Sequence, residues 1–164
     1  MGWKNFCSLN NNCYILSESL RFGSACENFL NLILKAPIKD FDYISLSDQD
    51  DIWLPLKLKN AIHQIIQTKS SGYSSDIISW NPDTSELKRI VKHGAQTRFD
   101  YMFQGPGPGC TFVMKAASVI DLSKFLSSMT DSNRKKIWFH DWFIYSYFRA
   151  NNKKWFIDSY SGML

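Results

Sequence analysis

The sequence predicts an α/β fold, a single domain over residues 1–164 in which a mixed sheet is flanked by helices. Three observations predict it. Short apolar runs bounded by turn residues alternate with longer segments whose apolar residues recur at helical spacing. The chain has 164 residues, 45% of them hydrophobic and 15% aromatic, which is enough apolar surface for one core. No internal repeat, low-complexity tract or linker divides it.

The elements follow in order. Met1 to Leu20 offers only a polar turn at Asn10–Asn12 and a short strand at Cys13–Leu16. Ser24-Ala25-Cys26-Glu27 has the form of a capping box, so a helix starts there and runs to about Lys35 before Pro37 ends it. Tyr43–Leu46 reads as a buried strand. A second helix begins near Pro55 and places Leu58, Ala61, Ile62, Ile65 and Ile66 on one apolar face, with His63 at its boundary. After a loop at Ser70–Ser75, Ile77–Trp80 and Leu87–Val91 form a hairpin through the turn Asn81-Pro82-Asp83. The Gly/Pro run from Gln104 to Gly109 is a loop whose glycines let a ligand approach the backbone. Cys110–Met114 is read as a strand. Ala116–Met129 is an amphipathic helix with Val119, Ile120, Leu122, Phe125 and Leu126 inward. A helix starts at Asp141 in the aromatic stretch Trp138–Phe148, and Trp155–Ile157 is the last strand.

The residues with the strongest chemistry lie just after Tyr43–Leu46. Asp48, Asp50 and Asp51 put three carboxylates in four positions at the carboxyl end of a strand, where α/β sheets bind ligands. Clustered acids repel one another, and a divalent cation offsets that repulsion. Oxygen ligands favour Mg²⁺ or Mn²⁺ over zinc, and such an ion completes its shell with substrate phosphates. The plainer alternative is a solvated turn in which Asp51 caps the next helix.

The formal charge of +4 is uneven. Acids crowd Asp40 to Asp51, while bases gather at Lys88-Arg89-Lys92, Arg134-Lys135-Lys136 and Lys153-Lys154. Such patches suit phosphate groups or an anionic membrane face, although surface lysines commonly only solvate. The acidic and aromatic content argues against a nucleic-acid module. No segment is apolar for long enough to span a bilayer and no secretory signal opens the chain, so the expectation is a cytoplasmic protein, either soluble or peripheral at the inner face of the membrane. Cys7, Cys13, Cys26 and Cys110 lack zinc spacing and are expected to be reduced. The glycine run lacks the lysine and hydroxyl of a phosphate-binding P-loop.

Asp48-Gln49-Asp50-Asp51-Ile52-Trp53, with Pro55 and Lys57-Leu58, resembles the metal-binding signature of family 2 glycosyltransferases, above all the bacterial branch with rhamnosyltransferase-like enzymes of surface polysaccharide assembly. Gly23 to Leu30 is similar to the helix before that signature. Gly107-Pro108-Gly109-Cys110-Thr111 resembles the glycine-led strand after it, and His140-Asp141-Trp142 resembles the motif that supplies the catalytic base. The resemblance implies a GT-A-like, Rossmann-like fold and inverting transfer of a sugar from a nucleotide-diphosphate donor to a saccharide or lipid-linked acceptor. It implies Asp50 as direct ligand to Mn²⁺ or Mg²⁺ and Asp48 at the ion or the donor ribose. Asp51 and Gly109 fall on the donor side, Trp53, His140 and Trp142 on the acceptor side, and Asp141 is the base. The Asp141 carboxylate faces opposing influences, since a helix N-terminus favours its anion and burial beside Trp138 and Trp142 does not.

The family's opening Thr-Tyr-Asn-like and Asp-Asp-Gly-Ser-like motifs are absent before Gly23, as is its later Tyr-Arg-Gln-His-like segment, so the chain reads as a truncated GT-A domain. A non-catalytic remnant, or one half of a split glycosyltransferase, is the alternative. A haloacid-dehalogenase-like phosphohydrolase also places Asp-x-Asp after a strand, but Asp51-Ile52-Trp53 stands where that class has a hydroxyl-bearing turn.

Overall fold

The computed structural model describes Cys13 and residues 22–164. The turn and strand expected before Leu20 lie outside these residues, apart from Cys13. The elements are α1 (Ala25–Lys35), β1 (Tyr43–Ser45), α2 (Lys57–Thr68), β2 (Gly72–Ser75), β3 (Ile77–Asn81), β4 (Glu86–Ile90), β5 (Val113–Lys115), α3 (Ala116–Ser128), α4 (Asp131–Arg134), α5 (His140–Ala150) and β6 (Trp155–Asp158). Short 3₁₀ turns occupy Ile38–Asp40, Asp100–Met102 and Gly109–Thr111.

The main sheet has the order β1-β5-β2-β6, antiparallel except for the parallel pair β2–β6. It is mixed and flanked by helices, as expected. Adjacent residues of β5 point to opposite faces, and this divides the core. Met114 packs with α1, α3 and α5 through Phe29, Leu30, Leu122 and Phe148, while Val113 packs with Tyr73 and with Ala61 and Ile65 of α2. Trp155 of β6 is fully buried and meets Phe112, Phe148 and Tyr145 edge-on at ring distances of 4.8, 5.2 and 5.5 Å.

The α1 cap is satisfied as its sequence predicts: Ser24 Oγ accepts the Glu27 amide at 3.2 Å, and Glu27 Oε2 accepts the Gly23 amide at 3.0 Å. The β3–β4 hairpin pairs Ile77–Asn81 with Glu86–Ile90, and Asn81 Oδ1 holds the turn by accepting the Asp83 amide at 3.0 Å. This hairpin stands apart from the main sheet.

Several expectations are corrected. Residues expected as the loop Ser70–Ser75 contain β2, an interior strand buried along its whole length. Its serines enter the core because their hydroxyls are used: Ser74 Oγ donates to Pro106 O at 2.8 Å and accepts Trp155 Nε1–H at 3.0 Å. Tyr43–Ser45 is an edge strand and only half-buried. Cys110 and Thr111 belong to a 3₁₀ turn, and the strand starts at Val113. Leu58, Ile66 and Phe125 are exposed, since their helices bury narrower faces than the apolar pattern suggests. Cys26 and Cys110 are free and buried, whereas Cys13 is disulfide-bonded, against the expectation of reduced thiols throughout.

Gly72 allows the closest approach in the sheet, because a Cβ there would run into the Trp155 ring. Gly72→Ala is expected to destabilise the chain by about 1–3 kcal/mol through overpacking. A urea midpoint equal to that of the unsubstituted chain would show that the ring can move aside.

Candidate functional site

The loop between β1 and α2 carries the acids, and it is held on one side by a distant segment. Ile52 and Leu164 exchange backbone hydrogen bonds at 2.9 and 3.0 Å, and the Leu54 amide donates to Gly162 O at 2.9 Å, making a short antiparallel bridge of Trp53 with Met163. The α2 helix starts only at Lys57, so Asp51 does not cap it. The loop is instead shaped to bring side chains together. Ligand atoms of Asp48, Asp51 and Cys110 all lie within 4.8 Å of one another, joining this loop to the 3₁₀ turn after the Gly/Pro run. Asp50 is exposed and stands outside that group.

The cluster is electrostatically tense. Burial and the nearby charge of Asp51 push the Asp48 carboxyl above its usual range, with Asp50 and Asp141 adding to the effect and His140 opposing it. Burial, reinforced by Asp51 and Asp48, pushes the Cys110 thiol up to about 12, so it stays protonated. Lys57 supplies a counter-charge that sequence reasoning overlooked. Its side chain is 4% exposed, with Nζ lying 3.4 Å from the centre of the Trp53 ring and donating to Ser45 Oγ at 3.3 Å. Burial lowers its pKa to about 8, while Asp51 opposes the drop. A lysine at a helix start ordinarily reads as solvated, so only its spacing from Trp53 hinted at this stacking.

Three buried polar atoms lack a hydrogen-bond partner among the described residues, namely Asp51 Oδ2, Trp53 Nε1 and His140 Nε2. All belong to predicted site residues. Buried polar groups are nearly always paired, so orphans in one neighbourhood mark a place that something else completes.

His140 opens α5 and stacks on Phe29 with ring centres 4.4 Å apart. Burial lowers its pKa against the pull of Asp141 and Asp48. Gly109 is buried against it, and a Cβ on Gly109 would strike His140 Nε2. This packing is a structural reason for glycine at that position.

Asp141 is half-buried one residue on, and its Oδ1 accepts the Trp142 amide at 2.7 Å. The cap of α5 is Phe139, whose side chain makes no capping bond. Asp141 and Trp142 line a cleft of about 380 Å³ with Lys92, Gly105, Pro108 and Phe139. Asp48 lines a larger one, about 860 Å³, with Ser24, Asn28 and Gln49 at the start of α1. Trp138 points into solvent and does not bury Asp141.

The segment leading into the Gly/Pro loop is anchored by a buried hub at Asp100. Tyr145 Oη donates to Asp100 Oδ2 at 2.8 Å, Arg149 pairs with the same carboxylate at 3.2 Å, and Tyr101 O accepts Trp142 Nε1–H at 2.7 Å. Gly107 adopts φ +124, a conformation that favours glycine. The chemistry available is thus an acid cluster able to hold a cation, with the half-buried Asp141 carboxylate close enough to act on Asp48 electrostatically.

No family model matches the chain. Over 151 residues, 92% of its length, it is 42% identical to the dTDP-rhamnosyl transferase RfbG of Shigella flexneri. It spans about half, 51%, of the length of that protein.

Proposed function

We propose that the chain is a glycosyltransferase that moves a sugar from a nucleotide-diphosphate donor to a hydroxyl of a saccharide or lipid-linked acceptor in surface polysaccharide synthesis. The observation that carries this reading is the 42% identity across 92% of the chain, a stretch long enough to include both the Asp48–Trp53 loop and the start of α5. The relative's name makes dTDP-rhamnose the donor to try first. A cytoplasmic site is where such donors would be met.

The donor set fits a hard divalent cation. Carboxylate oxygens of Asp48 and Asp51 converge, Asp51 Oδ2 is buried without a partner among the described residues, and the soft atom of the cluster, Cys110 Sγ, is held protonated. Asp48 and Asp51 would hold Mn²⁺ or Mg²⁺, and by its place in the Asp-x-Asp signature the exposed Asp50 of the same loop would complete the acidic shell. Such an ion offsets charge on a departing diphosphate.

The remaining roles fall to the chain itself. Asp141 takes the proton of the acceptor hydroxyl as that oxygen bonds to the anomeric carbon and the bond to the diphosphate breaks, so the configuration inverts. Trp142 and Pro108 wall the cleft and limit water. Trp142 offers a face for the acceptor sugar, whereas Trp53 is committed to Lys57.

Calorimetry tests the donor half directly. Mn²⁺ alone is expected to bind weakly and dTDP more tightly with Mn²⁺ than without, with Asp50→Ala weakening the ternary binding about tenfold or more. Metal-dependent dTDP binding that survives Asp50→Ala would remove Asp50 from the site.

A second reading is that the chain is a non-catalytic remnant or one half of a split glycosyltransferase. The outer edge of β1 favours it. The Ala116 amide donates to Asp42 O, so by antiparallel alternation Tyr43 and Ser45 turn their backbone groups away from β5, where no described strand pairs with them. Absence of any dTDP or metal binding would favour this reading.

A further inference from the structure

One surface is left without a role by the fold. Trp138 is 80% exposed, Phe103 79%, Met102 60% and Phe139 59%. Single exposed apolar residues are ordinary, but a group of large ones rimmed by polar residues marks an interaction site. Met102, Trp138 and Phe139 line one cleft of about 430 Å³ together with Lys136, and Phe103 follows Met102 in the chain.

These rings sit on a firm base. Tyr101 O accepts hydrogen bonds from Trp142 Nε1 at 2.7 Å and Ser146 Oγ at 3.0 Å, and Cys26 Sγ donates to Ile137 O at 3.2 Å. The surrounding charge is positive. Lys135 and Lys136 are exposed, and of the acids close by Asp131 is already paired with Arg134 while Asp141 is half-buried in the adjoining cleft. Phe139 also lines the cleft of Asp141, so the face is continuous with the proposed acceptor side.

We propose that this aromatic and lysine face docks the protein on the surface of an anionic lipid bilayer. Tryptophan and phenylalanine settle at the headgroup boundary, and lysines beside them are drawn to anionic lipid. No helix among the described residues is long and apolar enough to cross a membrane, so lying on its surface is the mode of attachment these side chains allow. The inference rests on the reading of a lipid-linked acceptor, whose hydroxyl would then reach Asp141 past Phe139 from the bilayer side.

The test is co-sedimentation of the chain with vesicles of phosphatidylcholine alone or mixed with phosphatidylglycerol. Binding is expected to the anionic vesicles, to weaken with salt, and to be slight on the neutral ones. Trp138→Ala combined with Phe103→Ser should lower the partition coefficient about tenfold or more while leaving the circular dichroism unchanged, because both side chains are already in water. Lys135→Gln and Lys136→Gln should each cost about five-fold on anionic vesicles only.

The proposal is overturned if the chain sediments with neither vesicle or if the aromatic variant binds like the unsubstituted chain. It is equally overturned if the chain ignores vesicles but forms a dimer that Trp138→Ala dissolves, since a second copy would then cover the face. Vesicle binding requires neither nucleotide nor metal. Binding to vesicles without binding to Mn²⁺ and dTDP would therefore sink the transferase reading alone, and the reverse result would sink this one alone.

Discussion

Asp141→Asn is expected to reduce sugar transfer by about 10²–10⁴-fold while leaving Mn²⁺ and dTDP affinity nearly unchanged. The assay is release of dTDP from dTDP-rhamnose, the donor proposed above. The size of the effect follows from the role. An asparagine keeps the shape and accepts the Trp142 amide as the carboxylate does at 2.7 Å, but it cannot take a proton. The structure also separates this outcome from a helix-capping effect. The cap position of α5 belongs to Phe139, so Asp141 contributes to the helix only as an acid in its first turn, worth about 0.3–1 kcal/mol. A variant that keeps transfer and merely melts a few degrees lower would show the carboxylate to be a helix stabiliser.

The second large effect is on folding. Asp76→Ala is expected to destabilise the chain by about 3–5 kcal/mol, the range for removing one partner of a buried pair. The Asp76 side chain is fully buried between β2 and β3. It accepts the amides of Lys92 and His93 at 2.6 and 2.9 Å, the Arg89 guanidinium at 2.8 and 3.1 Å, and contacts His93 Nδ1 at 2.8 Å. Without the carboxylate, the two amides and the guanidinium lose a common anchor. Arg89 is half exposed and can turn to water, which favours the lower end of that range.

Burial alone would raise the Asp76 pKa, but these hydrogen bonds outweigh it and hold the value at about 2. The folded-state value lies below the ordinary carboxylate value near 4 of an unfolded chain. The stabilisation is therefore complete above about pH 4 and is lost as pH falls through about 2. Urea denaturation at neutral and acid pH should show the gap between the unsubstituted chain and Asp76→Ala narrowing across that window. A gap of equal size at both pH values would mean that Asp76 acts through packing alone. Lys92, whose amide Asp76 anchors, lines the Asp141 cleft, so partial loss of this hub should also disturb transfer.

Local chemistry was legible in the sequence because it is settled by neighbours in the chain. Ser24 and Glu27 announce the start of α1, Asn81-Pro82-Asp83 announces the hairpin, and the periodic apolar residues of α3 announce an inward face that Val119, Leu122 and Leu126 occupy. The acid loop and the start of α5 were legible for the same reason, since the motifs are contiguous. What the tertiary structure alone decided concerns polar groups whose burial depends on partners far away. The Gly-Tyr-Ser-Ser segment has no apolar pattern, and it becomes an interior strand only because Pro106 and Trp155 satisfy Ser74. Lys57 is buried because Trp53 and Ser45 receive its ammonium, and Asp76 and Asp100 are buried because segments more than ten residues away return to them with hydrogen-bond donors. Cys110 meets Asp48 and Asp51 across some sixty residues of chain for a similar reason, the placement of β1 beside β5. A buried polar side chain is affordable only when its partner is in place, and only the fold determines which partner that is.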